Sequence, residues 1–212
     1  FVTAIREAGY DVLWNDFLGI VCKYGPKTLR FRNENYYKGP YDKYISEKTG
    51  ERLVDILRSK DFDIKADMMK ELYPLVPYME NKHIDTDYWL QMTKEQIGEL
   101  SSSPFATIGS HGYYHNDLAR ISINDVAAEI QRSKQYLENI TGKPVNSLAF
   151  PYGTYTPDVV KSAKNAGYSQ LLCMDFHYQT DHADPAMKER FTVNPFISTV
   201  NQMHATITRK YE

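Results

Sequence analysis

Two histidines four residues apart, His111 and His115 in SPFATIGSHGYYHNDLARIS, are the side chains whose type and spacing first suggest chemistry. Neutral imidazole is a good ligand for a divalent metal. Two imidazoles, a carboxylate and a water make a catalytic zinc site. On a helix, histidines at i and i+4 share a face, and a Glu directly after the first would serve as general base. Here Gly112 follows His111, and glycine favours a turn, so that arrangement fails at its base. What is left is a pair at a strand end and its following loop. It either holds a metal or serves only the loop's own structure.

The elements around the pair decide which groups could join it. From Thr93 the pattern is regular. TKEQIGEL opens with a capping box, Thr93 with Gln96. FATIGSH reads as a short buried strand. SINDVAAEIQRSKQYLENITG carries Val126, Ile130, Leu137 and Ile140 near helical spacing and ends at Gly142. VNSLAFP is a second strand. TPDVVKSAKNAG has Thr156 as cap, Pro157 in the first turn and Gly167 at the stop, and YSQLLCMD is a third strand. Strands alternating with helices predict parallel βα units, either a singly wound barrel or a doubly wound sheet. His111, Pro151-Tyr152-Gly153 and Asp175 then fall at the C-terminal ends of successive strands, the edge where parallel α/β folds bind ligands.

With these residues in place, MTKEQIGELSSSPFATIGSHGYYHNDL followed by LAFPYGTYTPDVVKSAKNAGY resembles the polysaccharide deacetylase family, carbohydrate esterase family four. The histidine pair is similar to the family's second motif and Pro-Tyr-Gly to its third. The resemblance is clear from about Met92 to Asp175, and FVTAIREAGYDVLWNDFL adds weaker support. It implies an α/β fold of the distorted (β/α) barrel type and a divalent metal, zinc above all. It also implies removal of acetyl groups from an acetylated glycan. On that resemblance His111 and His115 would be metal ligands. Tyr152 would offer a backbone N–H to the oxyanion, in a loop shaped by Pro151 and Gly153. Tyr113, Tyr114 and Tyr155 would offer aromatic faces to the sugar, at least one of the first two facing the metal. The family's first motif, an aspartate pair supplying the base and the third ligand, has no counterpart in the 212 residues. By the family's order it belongs upstream of Phe1, as though the chain were cut from a longer protein and its barrel lacked the first strand. The residue usual after the first histidine, Ser or Thr, is Gly112, and the Arg usual in the third motif is Ala149. Alternatives on the same fold are a catalytically inactive glycan- or protein-binding member and a hydrolase of non-sugar amides.

The chain reads as one domain, residues 1–212, with 92–175 carrying the motifs and 11–87 irregular and insertion-like. In that second region DVLWNDFLGIVCKYG is predicted helical up to Gly25-Pro26. TLRFRNENYYKG is predicted as a strand, and SEKTGERLVDILRSK and IKADMMKELYPLV as helices. No chemical motif stands out there. Net charge is −2 and the basic residues are scattered, which argues against a nucleic-acid partner. No apolar run is long enough to cross a bilayer. Cys22 and Cys173 read as buried thiols. Trp14 and Trp89 read as core, and Asp117 as a turn or cap residue. His83, His177, His182 and His204 read as loop or surface residues, the middle two also as possible site neighbours. Asp175 reads as a loop cap or a substitute third ligand.

Overall fold

The computed structural model describes residues 1–76, 89–191, 193–194 and 196–210; His83 lies outside them. The first half begins with helix α1 (Trp14–Tyr24), stopped where Gly25 turns back to the Val21 carbonyl. An antiparallel meander follows: β1 (Thr28–Phe31), β2 (Glu34–Lys38) and β3 (Tyr44–Ser46). TLRFRNENYYKG is therefore a hairpin and not one strand. Arg32 and Asn33 both take positive φ (50° and 62°), as a two-residue hairpin turn requires. β3 takes up part of the stretch predicted as helix, leaving α2 (Leu53–Arg58). α3 (Phe62–Leu72) follows. The region read as irregular thus has an apolar core of its own, built on Trp14, Phe17, Val21, Tyr44, Leu57 and Met68.

The second half follows the predicted alternation. α4 (Lys94–Ser102) starts with the Thr93–Gln96 capping box fully formed. α5 (Ile123–Thr141) is capped by the Ser122 side chain and closed by Gly142 in left-handed conformation. β4 (Ser147–Ala149), α6 (Pro157–Asn165), β5 (Gln170–Cys173), β6 (Met187–Glu189) and α7 (Thr199–Thr208) complete the chain. β4, β5 and β6 pair in parallel in that order. Ser110 bridges in parallel to Leu148 on one side and to Val2 on the other. The segment FATIGSH thus holds the expected place in the sheet but contributes one bridged residue rather than a full strand. Its bonds are Ser110 N–H to Ser147 O, Ala149 N–H to Ser110 O and His111 N–H to Val2 O. The sheet does not close into a barrel among the described residues. The core on this side gathers Ile97, Val126, Ile130, Leu148, Phe150 and Leu171. A third, small cluster gathers Ile5, Leu13 and Phe62, with Tyr10 and Tyr114 against it.

Candidate active site

The C-terminal ends of the parallel segments place His111, Pro151-Tyr152 and Asp175 on one edge, as the alternation predicted. Arg190, after β6, joins them and donates to the Phe150 carbonyl at 3.2 Å. His111 and His115 face each other with ring centroids 4.9 Å apart, and the His115 ring meets the Tyr152 ring at 4.8 Å.

Backbone conformation sets this geometry. His115 (φ 58°) and Tyr152 (φ 61°) both take the left-handed conformation, which costs a non-glycine residue roughly 1–2 kcal/mol and persists only where the surroundings enforce it. Around His115 three groups do so. The Trp14 indole N–H donates to the His115 carbonyl at 3.2 Å. The buried Glu129 carboxylate accepts from the backbone N–H of Tyr114 and of Asn116, and from the Asn116 side chain. Asp117, fully buried, accepts from Arg58, Thr154 and the Ala119 N–H. Gly112 is now explained: its φ is +80°, and a Cβ there would stand 2.9 Å from Glu129 Oε1. A Ser or Thr at 112 would be strained in this loop and would press on the Glu129 carboxylate.

The electrostatics suit metal ligation. His111 Nδ1 lies 2.7 Å from the Ala149 carbonyl. That acceptor requires the proton on Nδ1 and leaves Nε2 with its lone pair. Burial is the largest influence holding the His111 pKa down, to about 4, against the opposing effect of that hydrogen bond. Burial, then the neighbouring His111, pushes His115 down to about 3. Both rings are therefore neutral at pH 7. His115 Nδ1 is buried with no hydrogen-bond partner. A buried nitrogen without a partner is costly unless something ligates it. Two neutral imidazoles, one with an orphaned buried nitrogen, fit a divalent metal. Among the described residues no group of three His, Cys, Asp or Glu side chains is placed to hold one. Asp175 is exposed beyond β5 and does not join the pair.

The proposed sugar-contacting tyrosines are placed differently. Tyr113 is 1% exposed, with its hydroxyl on Arg132. Tyr114 stacks on Phe62 at 3.9 Å. Tyr155 is 2% exposed, bonded to Asp181 and stacked between Phe150 and His177. Tyr113 and Tyr155 are thus packed into the fold, with no free face for a sugar, and the Tyr114 ring meets Phe62 and Tyr113. Tyr152 instead has its ring at the pair. Its hydroxyl is buried without a partner, and burial raises its pKa far above the usual range. His177 is exposed but stacks on Tyr155, His182 meets the Phe176 ring edge-on, and His204 is exposed on α7. Cys22 and Cys173 are buried free thiols.

Sequence reasoning missed Arg58, Lys65, Asn116 and Glu129. Lys65 is fully buried, bonds to the Asn116 side chain and lies over the Trp14 ring at 4.9 Å. Burial lowers its pKa to about 8 despite Glu129 and Asp117 nearby. A signal was available. Lys65 stands in the stripe Phe62, Met68, Leu72, and Glu129 beside Val126, Ile130 and Leu137. A charged residue on the buried face of an amphipathic helix calls for a buried partner.

Comparison with known proteins bears on this arrangement. Residues 41–171, more than half of the chain, match the polysaccharide deacetylase family, and the chain is a member of that family. Among solved structures it is similar to the deacetylase PplD of Streptococcus pyogenes in complex with acetate. The two share 20% identity over 54% of this chain and 50% of the other, with a TM-score of 0.49. It is also similar to a polysaccharide deacetylase from Bacillus cereus, at 25% identity over 59% and 38%, TM-score 0.48. A third is a pseudoenzyme of carbohydrate esterase family four from Bacillus anthracis, at 20% identity over 37% and 27%, TM-score 0.35. The chain spans half or less of the length of these structures. No curated protein matches it.

Proposed function

We propose that the chain carries the metal-binding half of the active site of a hydrolase that removes N-acetyl or O-acetyl groups from a glycan. The observation that carries this reading is the pair of buried, neutral histidines, one with an unpartnered nitrogen, at the ligand-binding edge of a parallel sheet. His111 and His115 would hold a divalent metal, zinc being the ion such nitrogen donors suit. When bound, it would polarise the acyl carbonyl and acidify a water. The chain's own residues do the rest. Glu129, Trp14 and Asp117 hold the His115 loop, and Tyr152, in its left-handed turn, would offer a backbone N–H to the oxyanion. Pro151 and Gly153 flank that turn. The base and third ligand that the family draws from an aspartate pair find no counterpart in these 212 residues, which contain no two adjacent aspartates.

The second reading is a member of the fold that binds glycan without turning it over. Titration with Zn²⁺ tests the site: the chain should bind weakly, and His111→Ala and His115→Ala should each abolish binding. Equal binding by a variant lacking both histidines would overturn the assignment. Acetate release from an acetylated chitooligosaccharide by this chain would decide for the hydrolase. A missing base lowers the rate by roughly 10²–10⁴-fold.

A further inference from the structure

Arg58 lies at the end of α2, in the half of the chain without a motif, yet it touches both motifs of the site. Its Nε and Nη2 reach the same Asp117 oxygen at 3.1 and 2.5 Å. Its guanidinium carbon sits 4.4 Å above the centre of the Tyr152 ring. The other Asp117 oxygen accepts from the Thr154 hydroxyl at 2.6 Å. Arg58 and Asp117 together therefore tie the loop that follows His115 to the turn that holds Tyr152. Those two residues are the left-handed ones, and their rings meet at 4.8 Å. A flat guanidinium can pair with a carboxylate through one edge and lay its plane on an aromatic face at the same time; an ammonium, a compact point charge, offers no such plane. Arg120 also approaches Asp117, at 3.4 Å, but its side chain is about half exposed and no contact with Tyr152 accompanies it.

We propose that Arg58 is the positioning residue of the site: through Asp117 and over the Tyr152 ring it sets where the His115 imidazole stands relative to the oxyanion turn. This rests on the metal-site reading above, so the test uses two independent readouts. The first needs no metal: the nitrogen-15 NMR signals of the His115 ring and the Trp14 indole, which bonds the His115 carbonyl. In Arg58→Met both signals should move while the far-ultraviolet circular dichroism is kept. Arg58→Lys keeps the charge but not the flat face. It should leave the Trp14 signal near its original place and the His115 signal displaced. The second readout is Zn²⁺ affinity, which should fall by about 10–100-fold in Arg58→Met and by less in Arg58→Lys, the usual loss when a group supporting a ligand is removed. If the unchanged chain binds no Zn²⁺, the metal reading fails and the NMR comparison still decides the clamp. If Arg58→Met does not fold, Arg58→Lys decides it alone. Unmoved His115 signals in every folded Arg58 variant would overturn the proposal.

Discussion

Acid should destabilise this chain through His111, and the size of the effect follows from its burial. The ring's ordinary pKa of 6.5 falls to about 4 in the fold, burial being the main cause. The unfolded chain takes up a proton on this ring as pH drops through the first value. The folded chain does so only near the second. The stabilisation is thus whole above pH 6.5 and drains away as pH falls towards 4. At about 1.4 kcal/mol per unit, the full loss is about 3 kcal/mol. His111→Asn isolates this contribution, because an Asn amide can still donate to the Ala149 carbonyl that His111 Nδ1 now engages. Urea unfolding of both proteins, with chelator present, gives the difference in their stabilities at pH 7 and at pH 4.5. That difference should shrink by roughly 2–3 kcal/mol at the lower pH, the unchanged protein losing more. Groups that His111 does not influence cancel in the comparison; His115, which burial still holds down in the variant, adds a smaller change. A difference that stays constant across the range would show that the buried ring does not carry the acid sensitivity.

Three further outcomes test the supports of the site and the fold. Glu129→Gln replaces two acceptor oxygens by one and turns a donor towards the Asn116 amide. It should cost about 2 kcal/mol in urea unfolding and displace the Trp14 indole signal. Ile130→Ala empties a fully buried position on α5. It should cost about 2–5 kcal/mol and leave that signal in place. Gly142→Ala meets no atom within 4 Å but must adopt φ 63°. Its cost should be about 1 kcal/mol, read from thermal unfolding, with Zn²⁺ binding unchanged.

The half of the molecule with regular alternation was legible because its signals are local. Thr93, Ser122 and Thr156 cap helices where their sequence neighbours require it, and Gly142 ends one where expected. The histidine pair and Pro-Tyr-Gly were legible for the same reason, each being a short motif at a strand end. The sugar-facing roles of Tyr113 and Tyr155 were not, since sequence adjacency to a site says nothing about which way a side chain turns. Here Arg132 and Asp181 claim their hydroxyls. The Arg32-Asn33 turn was missed because neither residue is glycine, although Asn adopts positive φ more readily than most. Arg58 was out of reach, 59 positions from its partner Asp117. Nothing local marks a pairing that only the tertiary fold creates.

The site lies along the line between two apolar cores: Trp14 belongs to one, Arg58 follows Leu57 of that core, and the Tyr152 ring packs against it from a turn whose Phe150 belongs to the other. Each core can remain intact while the seam between them slips. Such a slip would release two strained residues while breaking the bonds of Trp14 to His115, Arg58 to Asp117 and Lys65 to Asn116. The chain would keep its helices, its strands and most of its melting enthalpy, and lose the geometry of the pair. Binding would then vanish at denaturant concentrations that leave the spectrum of the folded protein unchanged. Substitutions scattered along the seam, far from any ligand, could accordingly silence or retune the site without leaving a trace in its motifs.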